Sequence, residues 1–225
     1  RALRGAHGGA GLVRRASPVV VRSGSATSRG DGGSVSRSGR AGARERHGKA
    51  RVQAAAYDLF SREGIAQVGV DAVVARAGTA KMTLYRNFPS KDALVVDFLR
   101  ERERRWTREW LEAESARRAE DPVGQLLAIF DLFAEWFATP DFEGCSFIST
   151  LLEMRDPAGP AHRASVEHLA TIRGVVAERA RRAGLLDVDG FARRWHIIMK
   201  GSIVAALEGD ADAAAAGREL ALLLL

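Results

Sequence analysis

The chain has 225 residues, 46% of them apolar, which is enough for one or two units with a real core. A lone cysteine, Cys145, excludes an internal disulfide framework and suits a reducing, cytoplasmic setting. No apolar run approaches the ~20 residues of a membrane span. The net charge of +6 is uneven: residues 1–44 hold nine Arg and one Asp, about +8, which leaves 25 basic against 27 acidic residues beyond them.

Residues 1–44 are Gly, Ser, Arg and Ala with few large apolar side chains. Such a stretch buries too little surface to offset its ordering entropy, so it is expected to be a disordered extension. Its Arg-rich, acid-poor composition imitates a transit peptide or a DNA-binding arm, but the expectation here is an extension without an essential role. From Glu45 the pattern changes. Val52, Ala55, Ala56, Leu59 and Phe60 recur on one helical face, and Gly64 ends that helix. Val70, Val73, Val74 and Ala77 predict a second, short helix closed by Gly78. A third runs over about 80–86, with Met82, Leu84 and Tyr85 as inward or bridging residues, and Pro89 stops it. Ser90 is a good N-cap for a long fourth helix reaching towards Trp110, with Asp92 in its first turn.

Asp121-Pro122 starts another helix, which Pro140 closes. A shorter helix spans about 144–154, then the loop Asp156-Pro157-Ala158-Gly159-Pro160 leads to long helices over about 161–183 and 189–208. Gly209 separates a last Ala/Leu-rich helix. Helix formers dominate after Arg44, Pro is rare, and neither a strand pattern nor an internal repeat is seen, so the fold class is all-α.

Three short helices joined by tight turns suit one geometry well. Two helices crossing sharply through a Gly turn form a helix-turn-helix, whose second helix enters the major groove. The motif is placed at about 69–88 within a DNA-binding domain of residues 45–91. That domain carries eight basic and four acidic residues, a balance that faces a polyanion. Residues 92–225 form the second domain, which begins with the connecting helix.

The run FSREGIAQVGVDAVVARAGTAKMTLYRNFPSKDALVVDFL resembles the N-terminal domain of TetR/AcrR-type transcriptional regulators. Phe60, Gly64, Val70, Val73, Ala77, Gly78, Leu84, Tyr85, Phe88, Lys91 and Leu94 agree together. The later stretch around Gly144-Cys145-Ser146-Phe147-Ile148 resembles ligand-binding domains of one branch of that family. The resemblance implies that 80–86 is the recognition helix. Lys81 and Thr83 would face the groove, and Tyr85 would lie at a phosphate. Lys91 would approach the backbone at the start of the fourth helix, and Arg51 and Thr79 would supply further phosphate contacts. Arg86 sits where the family varies and is the candidate for base reading, commonly an Arg on guanine. Many members carry Ser where this chain has Ala80, so either Thr79 caps the recognition helix or the cap is missing.

One helix-turn-helix per chain calls for a homodimer, because two recognition helices must meet groove faces about one turn apart. The expected interface uses Leu169, Ile172 and Val176 on one helix and Ile198, Met199, Ser202, Ala205 and Ala206 on the next, forming a four-helix bundle with the partner. A pocket for a hydrophobic small molecule is expected among Phe130, Phe133, Trp136, Phe137, Phe147, Leu151, Met154 and Trp195, although most such residues also serve simply as core. His162 and His168 are about 240° apart on a helix, so they share no face, and no metal site or cofactor is expected. Cys145 reads as a small core thiol before it reads as a sensor.

No phosphate-cradling Gly loop, zinc spacing or nucleophile elbow is present, so an enzyme is not expected. The expected function is a sequence-specific transcriptional regulator, a repressor released from double-stranded operator DNA by a small-molecule effector. The alternative is a helical small-molecule carrier or scaffold in which residues 45–91 are only structural.

Overall fold

The computed structural model describes residues 37–225, with side chains from residue 42. The expectation of disorder over 1–36 lies outside the described residues. Among the described residues every regular element is a helix. The first, α1 (Arg37–Glu63), begins well upstream of Glu45, so the expected tail boundary is too late. Arg, Ala, Glu and Lys are good helix formers, and no Pro interrupts them. Gly64 ends α1 with φ +81°, as a left-handed residue after a helix should.

The helices α2 (Val70–Ala77) and α3 (Lys81–Asn87) follow, then α4 (Lys91–Arg102). Ser90 caps α4 as expected, its Oγ accepting from the Ala93 N–H at 3.1 Å. Val52, Phe60, Val73, Leu84, Phe88, Leu94 and Phe98 are all buried and join these four helices in one core. Each such side chain contributes about 1.5–3 kcal/mol when fully buried. Gln53 on α1 donates to Asp97 on α4 at 2.9 Å, and Arg102 donates to the Tyr57 hydroxyl at 3.2 Å. These bonds tie α1 to the connecting helix.

The helix does not stop at Arg102. It continues as a π-helical segment, Glu103–Glu112, and then as α5 (Ala113–Arg118). Residues five apart share a face in a π-turn, and the charges are spaced for it. Arg108 pairs with Glu103 at 2.8 Å, and Arg104 pairs with Glu109. The expected fourth helix reached towards Trp110; the observed one runs on to Arg118, with a wider winding that the helical period did not anticipate.

The second half contains α6 (Pro122–Phe137), α7 (Ser146–Glu153), α8 (Pro160–Arg182), α9 (Val188–Leu207) and α10 (Ala213–Leu222). Asp121 caps α6 by accepting from the Gly124 N–H at 2.8 Å. Arg179 on α8 is only 4% exposed. Its guanidinium donates to the Glu112 carbonyl at 2.9 Å and the Gln125 carbonyl at 3.3 Å, holding α6 and α8 to the end of the π-helical segment. No described helix is long and apolar enough to cross a membrane.

Candidate nucleic-acid interface

The turn between α2 and α3 follows from one glycine. Gly78 adopts φ 58° and ψ 41°, a left-handed conformation that costs other residues energy. Its N–H bonds to the Ala75 carbonyl at 3.1 Å, and the Thr79 N–H to the Val74 carbonyl at 3.3 Å. That pair of bonds closes α2 and sends the chain sharply into α3. Arg51 on α1 donates to the Gly78 carbonyl at 2.8 Å and so braces the turn from outside.

Helix α3 is anchored by one fully buried side chain, Leu84, and by Phe88 just after its end. Lys81, Met82, Tyr85 and Arg86 are exposed. Met82 is 70% exposed and faces outward, against the expectation of an inward or bridging role. Its angle explains this: it lies two positions, about 200°, from Leu84 on a helix. Thr83 is half-buried against α1, where a Cβ on Gly48 would come within 2.8 Å of its methyl group. The absence of that Cβ lets α1 and α3 approach closely.

Ala80 takes the N-cap position of α3 without a side-chain cap. Thr79 does not replace it, because its hydroxyl is buried and meets no hydrogen-bond partner. Helix α3 therefore begins uncapped. Lys81 pairs with Asp71 across the turn at 2.7 Å, and that hydrogen bond raises the lysine pKa. Arg76 pairs with Asp58 at 2.6 Å. Arg86 has no acidic group within ion-pair distance among the described residues, so its guanidinium stays available to a ligand. Lys91 lies half-buried at the first position of α4. Lys49, which sequence reading passed over, is exposed on α1 with its Nζ 5.7 Å from the Phe88 ring centre.

Half of the residues expected to line a pocket are buried and half are partly exposed. Phe130, Phe133, Phe147 and Trp195 are essentially fully buried. Phe130 lies 5.5 Å from Trp195, and Phe133 lies 5.3 Å from Phe137. Trp136 and Phe142 meet at 4.9 Å. These rings meet in edge and tilted contacts. Leu151 and Met154 are half-buried. A cleft of about 380 Å³ lies between the end of α1, α4, the loop before α7 and α7 itself.

The residues expected at a dimer interface are partly enclosed within the subunit. Ile172, Val176, Met199 and Ser202 are buried within the subunit, and Leu169, Ile198, Ala205 and Ala206 are half-buried. The solvent-facing stripe of the same two helices is Val166, Ala170 and Gly174 on α8 with Ile197, Gly201 and Val204 on α9. Each helix carries two rows of apolar and small residues, and the sequence does not say which row packs at home.

His162 uses Nδ1–H to donate to the Met154 carbonyl at 2.9 Å, and His168 stands 5.2 Å from the Phe147 ring. Among the described residues no group of His, Cys, Asp or Glu side chains converges to hold a metal ion. Cys145 is buried, and burial pushes its thiol pKa up.

Residues 53–98 match the bacterial regulatory proteins of the tetR family, and residues 122–221 match the tetracyclin repressor-like C-terminal domain. No curated protein matches the chain significantly. Among solved structures, a TetR-family transcriptional regulator from Streptomyces coelicolor is 26% identical, with a TM-score of 0.72, over 80% of this chain and 94% of its own. A protein from Streptomyces avermitilis described as a tetR-type transcriptional regulator is 28% identical, with a TM-score of 0.70, over 79% of this chain and 96% of its own. The regulatory protein TetR from Rhodobacter sphaeroides, at 20% identity, shares the fold with a TM-score of 0.65 over 78% of this chain and 97% of its own. With a helix-turn-helix at one end, a helical domain at the other and family matches over both, the chain belongs to the TetR family of transcriptional regulators.

Proposed function

We propose that the chain acts as a cytoplasmic homodimer that binds operator DNA sequence-specifically and represses transcription until a small hydrophobic molecule releases it. One observation carries this reading: α3 is anchored by Leu84 and by Phe88 at its end, and it turns Lys81, Met82, Tyr85 and Arg86 outward together. In the major groove Arg86 reads a base edge, and Lys81 exchanges Asp71 for DNA. The Tyr85 hydroxyl, Lys91 and Lys49 hold phosphates and fix register. Arg51 acts at the same surface by bracing the Gly78 turn. Thr79 contributes its backbone, because its hydroxyl is buried.

The outward stripe of α8 and α9 supplies the two-fold contact. A Cβ added at Gly174 or Gly201 would meet nothing within 4 Å, so both glycines lie open and permit close helix approach. An effector weakens DNA binding only through its different affinity for the two arrangements of the recognition helices. The connecting helix, α4 with its π-helical continuation, joins the two domains and carries the change.

The test is equilibrium binding of residues 37–225 to DNA upstream of its own gene and to random duplex, at several salt concentrations. A preference of ~10³-fold or more for one site is expected, with Arg86→Ala losing ~10-fold or more and relaxing the choice at one base position. A folded dimer that binds both duplexes equally, or neither, overturns the reading.

A further inference from the structure

The cleft between the two domains has a chemistry of its own. Phe60, Phe98 and Phe142 provide aromatic walls, and Glu63, Glu143 and Glu153 bring three carboxylates to it. None of the three carboxylates makes an ion pair among the described residues. The one basic side chain in the lining, Arg62, is already held by Asp58 at 3.2 Å. Burial raises the Glu143 pKa and outweighs the opposing charges of Arg102 and Arg62. At about 380 Å³ the space is within the range of small-molecule sites.

Glu153 makes the cleft more than a hollow. It ends α7, in the C-terminal domain, and its Oε2 accepts a hydrogen bond from the Ala66 N–H in the loop between α1 and α2. Its carboxylate also lies against Gly64, where a Cβ would come within 2.9 Å of Oε1. The carboxylate thus fastens the loop that leads into the helix-turn-helix.

We propose that this interdomain cleft binds an amphipathic organic amine, whose ammonium pairs with Glu143 and Glu153 and whose apolar body lies on the three phenylalanines. An ammonium at Glu153 competes for the oxygen that holds Ala66. Occupancy therefore loosens the α1–α2 loop and shifts α2 and α3 relative to the C-terminal domain. The regulatory consequence rests on the DNA-binding reading above; the binding itself does not.

The test is an NMR titration of the full chain without DNA, following the Ala66 amide. The probes are 4-phenylbutylamine, 4-phenylbutanol and 4-phenylbutyrate, which differ mainly in the charge at one end. The amine is expected to shift the Ala66 resonance saturably, with a Kd at least ~10-fold below that of the alcohol, and Glu143→Gln should weaken it by ~10-fold. Glu153→Gln keeps an acceptor for Ala66 and should also weaken the amine. Equal responses to all three probes, no saturable shift by about 10 mM, or amine affinity unchanged in both variants overturns the site. Failure of DNA binding leaves this titration intact. Amine binding that leaves operator affinity unchanged overturns the regulatory half alone.

Discussion

His196 makes stability pH-dependent in a way that can be worked from its surroundings. The ring sits on α9 and is 4% exposed. Burial first, and then the positive charges of Lys200 on its own helix and Arg173 on α8, hold its pKa down at about 4, against 6.5 in an open environment. The folded chain therefore binds fewer protons than the unfolded chain between these values. Its contribution is complete above the unfolded pKa and is lost as pH falls from about 6.5 towards 4. At 1.36 kcal/mol per unit the full gap corresponds to about 3 kcal/mol, of which about 2 is lost by pH 5. The experiment is urea unfolding at pH 7.5 and 5.0, at fixed protein concentration, for the native chain and His196→Gln. The native chain should lose about 2 kcal/mol more than the variant over that interval. Other groups titrate equally in both proteins and cancel. One of them, Glu101, is held at about 2 by hydrogen bonds from Arg104 and Arg105 and weakens the fold only below the ordinary carboxylate range. Parallel losses in the two proteins would refute the argument that burial keeps His196 neutral.

The turn and the proposed dimer face offer further tests. Gly78→Ala places a side chain in left-handed backbone and brings its Cβ within 2.5 Å of the Arg51 guanidinium, displacing the bond to the Gly78 carbonyl. The strain of about 1–2 kcal/mol, with that bond lost, should lower Tm by roughly 3–8 °C in thermal unfolding. An unchanged Tm would contradict the assigned turn. Ile197→Arg with Val204→Arg should convert dimer to monomer in sedimentation equilibrium, while Ile172→Val, inside the subunit, should cost about 0.5–1.5 kcal/mol of stability and leave the dimer intact. A dimer that survives the two arginines would place the interface elsewhere.

The helix ends were legible because their causes are local. Gly64 and Gly78 take the left-handed backbone that closes a helix, and Ser90 and Asp121 offer oxygens to the N–H groups three residues on. The exposure of Lys81 and Arg86 on α3 was legible for a related reason. In a helix of seven residues, one buried leucine decides which way the others point. Of the two alternatives for the start of α3, a Thr79 cap or no cap, the packing of the turn left the second, because it buries the Thr79 hydroxyl. The π-helical segment left a trace in the five-residue spacing of Glu103–Arg108 and Arg104–Glu109, which a search for the 3.6-residue period passes over.

The sequence by itself determined the all-helical class, the order of the helices, the tight Gly78 turn and the outward basic face of α3. Each depends on backbone conformations and periodicities that a residue imposes on its near neighbours. The packing of distant helices was needed to show that Phe130, Phe133 and Trp195 are buried together. It also decided that Ile172 and Met199 face inward while Val166 and Ile197 face out, and that Glu153 reaches Ala66 across a cleft. An apolar side chain is equally content against its own subunit, a ligand or a partner. The hydrophobic effect rewards burial without naming the surface that provides it, so the choice belongs to the packing of distant helices and not to the pattern along any one of them.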